Sequence, residues 1–115
     1  MHSPNVRYAT LKKLEAVLLR LIARHGARMT LGELLVITTG MALLCKQDRV
    51  SVAEVAKLTG TRKQNISRWM QKRLGNSIRL EVNAQDERIR DVILIDPHRG
   101  QEHIENLADI LGTNK

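Results

Sequence analysis

The sequence predicts a mainly α-helical fold with one small β-hairpin, an α+β arrangement in which helices form both ends of the chain. Three observations carry this. Apolar residues recur at three-four spacing through most of the chain. Helix-start signals recur at Thr30, Ser51 and Thr61, each followed three residues later by Glu or Gln. After Gly75 the apolar period switches to two.

Pro4 opens the first helix, over 4–26, and Gly26 is placed to end it. Leu11, Leu14, Leu18 and Leu21 form its stripe, widened by Val17 and Ile22. Thr30 and Glu33 make a capping box, in which each side chain satisfies a backbone N–H of the other residue. The helix that follows has a broad apolar run from Leu34 to Cys45, which predicts a place in the core. Ser51 and Glu54 repeat the box for a short helix from Val52 to about Thr59. Thr61 and Gln64 repeat it again for a helix to about Leu74. Ile78, Leu80 and Val82 alternate with Arg79 and Glu81 as a strand, and Val92–Ile95 reads as a second strand across a polar turn at 83–90. Asp96 then caps a last helix with Pro97 at its first position, and Ile104, Leu107, Ala108 and Leu111 give that helix an apolar face.

Ala56, Gly60 and Ile66 have the roles expected of a helix-turn-helix. A small residue lets two helices approach, a glycine accepts the left-handed turn, and a branched residue packs the second helix on the first. With the hairpin, the reading is a winged helix-turn-helix with flanking dimerisation helices. The whole of 1–115 forms one domain, with the helix-turn-helix at 51–75, the wing at 77–96 and terminal helices at 4–26 and 97–112.

Charge points to the partner. The 115-residue chain carries a formal net charge of +7. From Thr59 to Leu80 there is no Asp or Glu, while Arg62, Lys63, Arg68, Lys72, Arg73 and Arg79 all fall there. Clustered cations of this kind suit a polyanion, because neutralising phosphates releases counterions. Tyr8 and Trp69 are the only aromatics, too few for the stacking platform of a single-strand binder, so duplex DNA is the expected partner.

In the second helix of the motif, Ile66, Trp69, Met70 and Leu74 share the core side. Thr61, Gln64, Arg68 and Gln71 lie opposite, with Asn65 and Lys72 beside them. Arg62, Lys63, Gln64, Asn65 and Arg68 are expected at bases or nearby phosphates, since Arg pairs in two-point fashion with guanine and Asn or Gln with adenine. Lys72 and Arg73 are expected at phosphates, and Thr61 joins the same surface. Arg88 and Arg90 flank the hairpin tip, within reach of a minor groove or its phosphates, with Asp86 placed to hold an arginine by a local ion pair.

From Thr30 to Gly100 the chain resembles the MarR (multiple antibiotic resistance regulator) family of winged-helix transcription factors. The likeness runs through SVAEVAKLTGTRKQNISRWMQKRLG and DERIRDVILIDPHRG, with Ile66-Ser67-Arg68, Leu74-Gly75, Asp86-x-Arg88 and Asp96…Gly100 at the family's motif places. Asp96 stands where the family has a capping threonine. The resemblance implies a homodimer on a near-palindromic site, often a repressor released by a small-molecule effector or by oxidation. The expected dimer interface joins Leu11, Leu14, Leu18 and Leu21 to Ile104, Leu107 and Leu111, because two amphipathic terminal helices per chain can bury one another across a two-fold axis.

Other features favour no second chemistry. Cys45 beside Leu43 and Leu44 reads as a buried structural thiol rather than a redox sensor. A single cysteine excludes an intramolecular disulfide framework and fits a reducing compartment. His98 and His103 are five apart on a helix and do not share a face, so no metal site is expected. Neither a cofactor motif nor a catalytic constellation is present. With no signal-peptide pattern and no membrane-spanning run, the expected location is cytoplasmic. Two other functions remain open: a protein–protein adaptor built on a winged helix, and a replication or partition protein of a mobile element.

Overall fold

The computed structural model describes residues 3–72, 78–94 and 97–113. They form five helices and one two-stranded antiparallel hairpin: α1 (Pro4–His25), α2 (Leu31–Leu44), α3 (Val52–Thr59), α4 (Lys63–Lys72), β1 (Ile78–Val82), β2 (Arg90–Leu94) and α5 (Pro97–Leu111). The chain divides into two compact units. One comprises Met1–Met29 with His98–Lys115, the other Thr30–Pro97.

In the central unit, local chemistry sets most of the boundaries. The Thr30 hydroxyl accepts from Glu33 N at 3.1 Å, and the Glu33 carboxylate accepts from Thr30 N at 3.2 Å. Ser51 and Glu54 form the equivalent box at 3.2 Å in both directions. Gln47 Nε2 also donates to Glu54 at 3.0 Å, and this bond, then the Ser51 N–H, holds the Glu54 carboxyl below its ordinary pKa. The third expected box does not form in this register. Gly60 closes α3 in the left-handed conformation (φ 69°, ψ 17°), and Thr61 N donates back to Ala56 O at 3.2 Å. That bond continues the turn through Thr61, so Arg62 O becomes the first carbonyl of the next helix, accepting from Ile66 N at 3.2 Å. α4 therefore begins at Lys63, two residues after Thr61.

The core of this unit is small and built from β-branched residues. Val36 and Ile37 of α2, Val50, Val52 and Val55 around α3, Ile66 of α4 and Val92 of β2 are all buried. At about 25 cal/mol per Å² of apolar surface, each contributes roughly 1.5–3 kcal/mol of transfer free energy before entropy is set against it. Only one side of α2 joins the core, contrary to the broad burial expected from its composition. Leu31 and Leu35 are exposed, and so is Cys45, the C-cap residue, which is therefore not the buried thiol that was expected. Gly32 has a packing reason: a Cβ there would lie 3.3 Å from Trp69 Cη2, so the absence of a side chain lets the half-buried indole approach α2.

In the hairpin, Ile78 faces Leu94, Leu80 faces Val92 and Val82 faces Arg90. β2 starts two residues earlier than the apolar pattern indicated, so Arg90 is a strand residue rather than part of the turn. A third segment joins on the other side of β2. Val92 N donates to Val50 O at 2.7 Å, and Ser51 bridges antiparallel to Asp91. The residues just ahead of α3 thus tie the hairpin to the helix pair, a connection that the sequence pattern did not reveal.

The terminal-helix unit has a different character. Ser3 caps α1 through its hydroxyl, which accepts from Val6 N at 3.3 Å, and Gly26 N closes the helix onto Ile22 O at 2.8 Å. None of the 22 residues of α1 is buried. On α5, Gly100 and His103 are buried. Ile95, Asp96 and Leu74, to which the sequence assigns a strand end, a cap and a core place, lie outside the described residues. No helix among the described residues is long and apolar enough to cross a membrane.

Candidate nucleic-acid interface

The geometry of α4 follows from two constraints. Ile66, with 0 % of its surface exposed, pins the first turns of the helix to the core, and the left-handed Gly60 sets the direction of the chain entering them. Residues on the opposite side must then project outward. Arg62, Lys63, Gln64 and Arg68 are all exposed, and with Ser67 they line an open concavity of about 710 Å³. No ion pair joins Arg62, Lys63 or Arg68 to a carboxylate among the described residues. A groove lined by three such cations and an amide is complementary to phosphate, and its donors suit the base acceptors of a major groove.

The structure separates the expected contact residues into tiers. Thr61 and Asn65 are half-buried rather than projecting. Asn65 Oδ1 accepts from Arg68 Nη2 at 2.6 Å, so Asn65 orients the arginine. Lys72 is the last residue of α4, and Arg73 lies outside the described residues. Ser67, which in the sequence stands out only as part of the Ile66-Ser67-Arg68 motif, also lines the concavity. It reaches the concavity because it is one residue beyond Ile66, on the flank of the exposed face.

The hairpin loop is held by its own polar groups. Asn83 Oδ1 accepts from Gln85 N at 2.8 Å and Asp86 N at 3.1 Å, while its Nδ2 donates to Asp91 Oδ2 at 3.0 Å. Asn83 N donates to Ile89 O and Ile89 N to Asp86 O, each at 3.0 Å. Arg88 chelates Asp86, with Nε to Oδ1 at 3.2 Å and Nη2 to Oδ2 at 3.3 Å. These bonds from the guanidinium, then the Arg88 backbone N–H, lower the Asp86 pKa. Arg90 Nη1 donates to the Glu87 carbonyl. Both arginines are exposed but steadied, one by a carboxylate and one by a peptide oxygen. Arg79, by contrast, is neutralised by Glu81 on the same strand.

Of the residues expected at a dimer interface, Leu11, Leu14 and Leu18 are 64 %, 52 % and 39 % exposed, Ile104 and Leu111 are also exposed, and Leu21 and Leu107 are half-buried. Near the C-terminal end of α1 the structure brings together a pair the sequence did not suggest. His25 and His103 lie edge to face, ring centroids 5.7 Å apart and planes at 88°. His103, on α5, is only 7 % exposed. Burial first, then the charges of Arg24, His25 and Arg20, lowers its pKa from 6.5 to about 4. The His25 pKa is also lowered, by burial and then by Arg24.

No model of a known protein family matches the chain, and no curated protein matches it.

Proposed function

We propose that this chain is a MarR-like winged helix-turn-helix protein that binds duplex DNA as a homodimer and regulates transcription, most simply as a repressor. The observation that carries this reading is the exposed, acid-free face of α4, where Arg62, Lys63 and Arg68 line one concavity directly after a glycine turn. In this reading α4 enters the major groove by its N-terminal turns, and Arg88 and Arg90 meet the flanking backbone or minor groove. The tie between Val50–Ser51 and β2 supports the winged arrangement, since it couples the hairpin to the helix pair. The exposed leucines of α1 support the dimer, since a second copy would remove them from water, and a two-fold pair supplies the two recognition helices that a near-palindromic site needs.

The test is selection of bound sequences from a random duplex pool, followed by affinity measurement on the enriched site. Arg68→Ala should weaken the selected site by roughly 1–3 kcal/mol relative to random duplex if the guanidinium reads a base. Equal loss on both would make Arg68 a phosphate contact. Failure of the wild-type protein to retain any duplex would remove the DNA reading and leave an adaptor.

A further inference from the structure

In the terminal-helix unit, four basic side chains come together, and among the described residues none of them forms an ion pair with a carboxylate. Arg20 and Arg24 stand one turn apart on α1, so they share a face; His25 follows, and His103 approaches from α5. Arg20, Arg24 and His25 all raise the positive potential at His103, and no carboxylate is among the charges acting on either imidazole. Elsewhere on the same two helices, Lys12 pairs with Glu15 at 2.6 Å, and the His98 ring lies 3.5 Å from the Glu102 carboxylate. Two nitrogens of the cluster, Arg24 Nε and His25 Nε2, are buried with no hydrogen-bond partner.

An orphaned guanidinium N–H is costly. A buried donor without an acceptor loses its water and gains nothing, and the cost is larger when the group is charged. Like charges gathered around it add repulsion. One kind of group relieves all of this together, an oxygen-bearing anion. One of its oxygens would accept from Arg24 Nε–H and another from His25 Nε2–H in the tautomer that carries a proton there, and its charge would offset Arg20, Arg24 and a protonated imidazole.

We infer that Arg20, Arg24, His25 and His103 form a binding site for a small oxyanion, a carboxylate or a phosphate group, between α1 and α5. The site is independent of the DNA reading, and its test uses no DNA. Anion binding and imidazole protonation assist each other here, so affinity rises as pH falls from neutral towards 5. Anion bound at neutral pH raises the pKa of His103, each pH unit of rise corresponding to roughly tenfold tighter binding to the protonated form.

The experiment follows the imidazole nitrogens of the full-length ¹⁵N-labelled protein by NMR while sodium chloride is exchanged for sodium acetate, or for sodium phosphate, at constant ionic strength. Saturable movement of the His25 and His103 signals, with a raised His103 pKa, is expected in at least one arm. Acetate alone would assign a carboxylate site, phosphate alone a phosphate site, and both a general oxyanion site. Arg24→Lys keeps the charge but lacks Nε–H, and should weaken saturable binding roughly tenfold. Arg20→Gln, a milder change to the fold, should weaken it as well while leaving the helical circular dichroism unchanged. The site would be overturned by a linear response that tracks ionic strength, or by saturation unchanged in both variants. Shifts that follow protein concentration rather than added anion would also overturn it, by pointing to a carboxylate of a second copy.

Discussion

Acidification should loosen the contact between α5 and the end of α1, and His103 sets both the size and the direction of the effect. Its neutral ring is nearly buried, and Arg20, Arg24 and His25 face it from α1. On its own helix, the Glu102 carboxylate lies 3.5 Å from the His98 ring, and no carboxylate is among the charges that shift His103. Because the folded pKa is depressed, the unfolded chain binds the proton more readily than the folded one. Stability from this residue is therefore full above 6.5, falls as pH drops from 6.5 to about 4, and is flat below. At about 1.4 kcal/mol per pH unit, the loss across that window is about 3 kcal/mol. His25, lowered in the same direction, adds to it. Amide hydrogen exchange of α5 in chloride buffer, corrected for intrinsic rates, should show protection falling by roughly two orders of magnitude between pH 7 and 4. His103→Gln, which cannot take up the proton, should flatten most of that slope. A His103 ring that titrates near 6.5 in the folded protein, like a histidine in a short peptide, would refute the reasoning.

Three further outcomes follow from the same packing and charges. Ile66→Ala empties a fully buried site between α4 and the valine core, and should cost roughly 3 kcal/mol in urea unfolding of the central unit. It should also reduce any duplex affinity without touching a basic residue. Replacing Arg88 and Arg90 together with Ala should lower the slope of log affinity against log salt by up to about two phosphate contacts if the hairpin meets DNA, and an unchanged slope would leave the hairpin in solvent. Leu14→Glu with Leu18→Glu places two charges on the exposed face of α1; light scattering should report a dimer for the wild type and a monomer for the variant, and a wild-type monomer at micromolar concentration would sink the dimer.

The elements legible in the sequence are those whose cause lies within four residues. The Thr30–Glu33 and Ser51–Glu54 boxes, the Gly26 and Gly60 stops and the period-two run of β1 all rest on short-range bonds, so their residues announce them. The basic face of α4 was legible for a similar reason: once Ile66 is inside, helical geometry places Gln64 and Arg68 outside. Even a local signal misled where two such bonds competed, because Thr61 N returned to Ala56 O and the helix began at Lys63. What only the tertiary structure decided depends on groups far apart in the chain. Whether Val50 and Ser51 pair with β2, whether Cys45 at the end of an apolar run is covered, and whether His25 meets His103 are set by how elements pack, and no spacing encodes that. Periodicity marks the side of a helix that avoids water. What covers that side is a property of the assembled surfaces, which is why the leucines of α1, so regular in the sequence, stand exposed in the single chain.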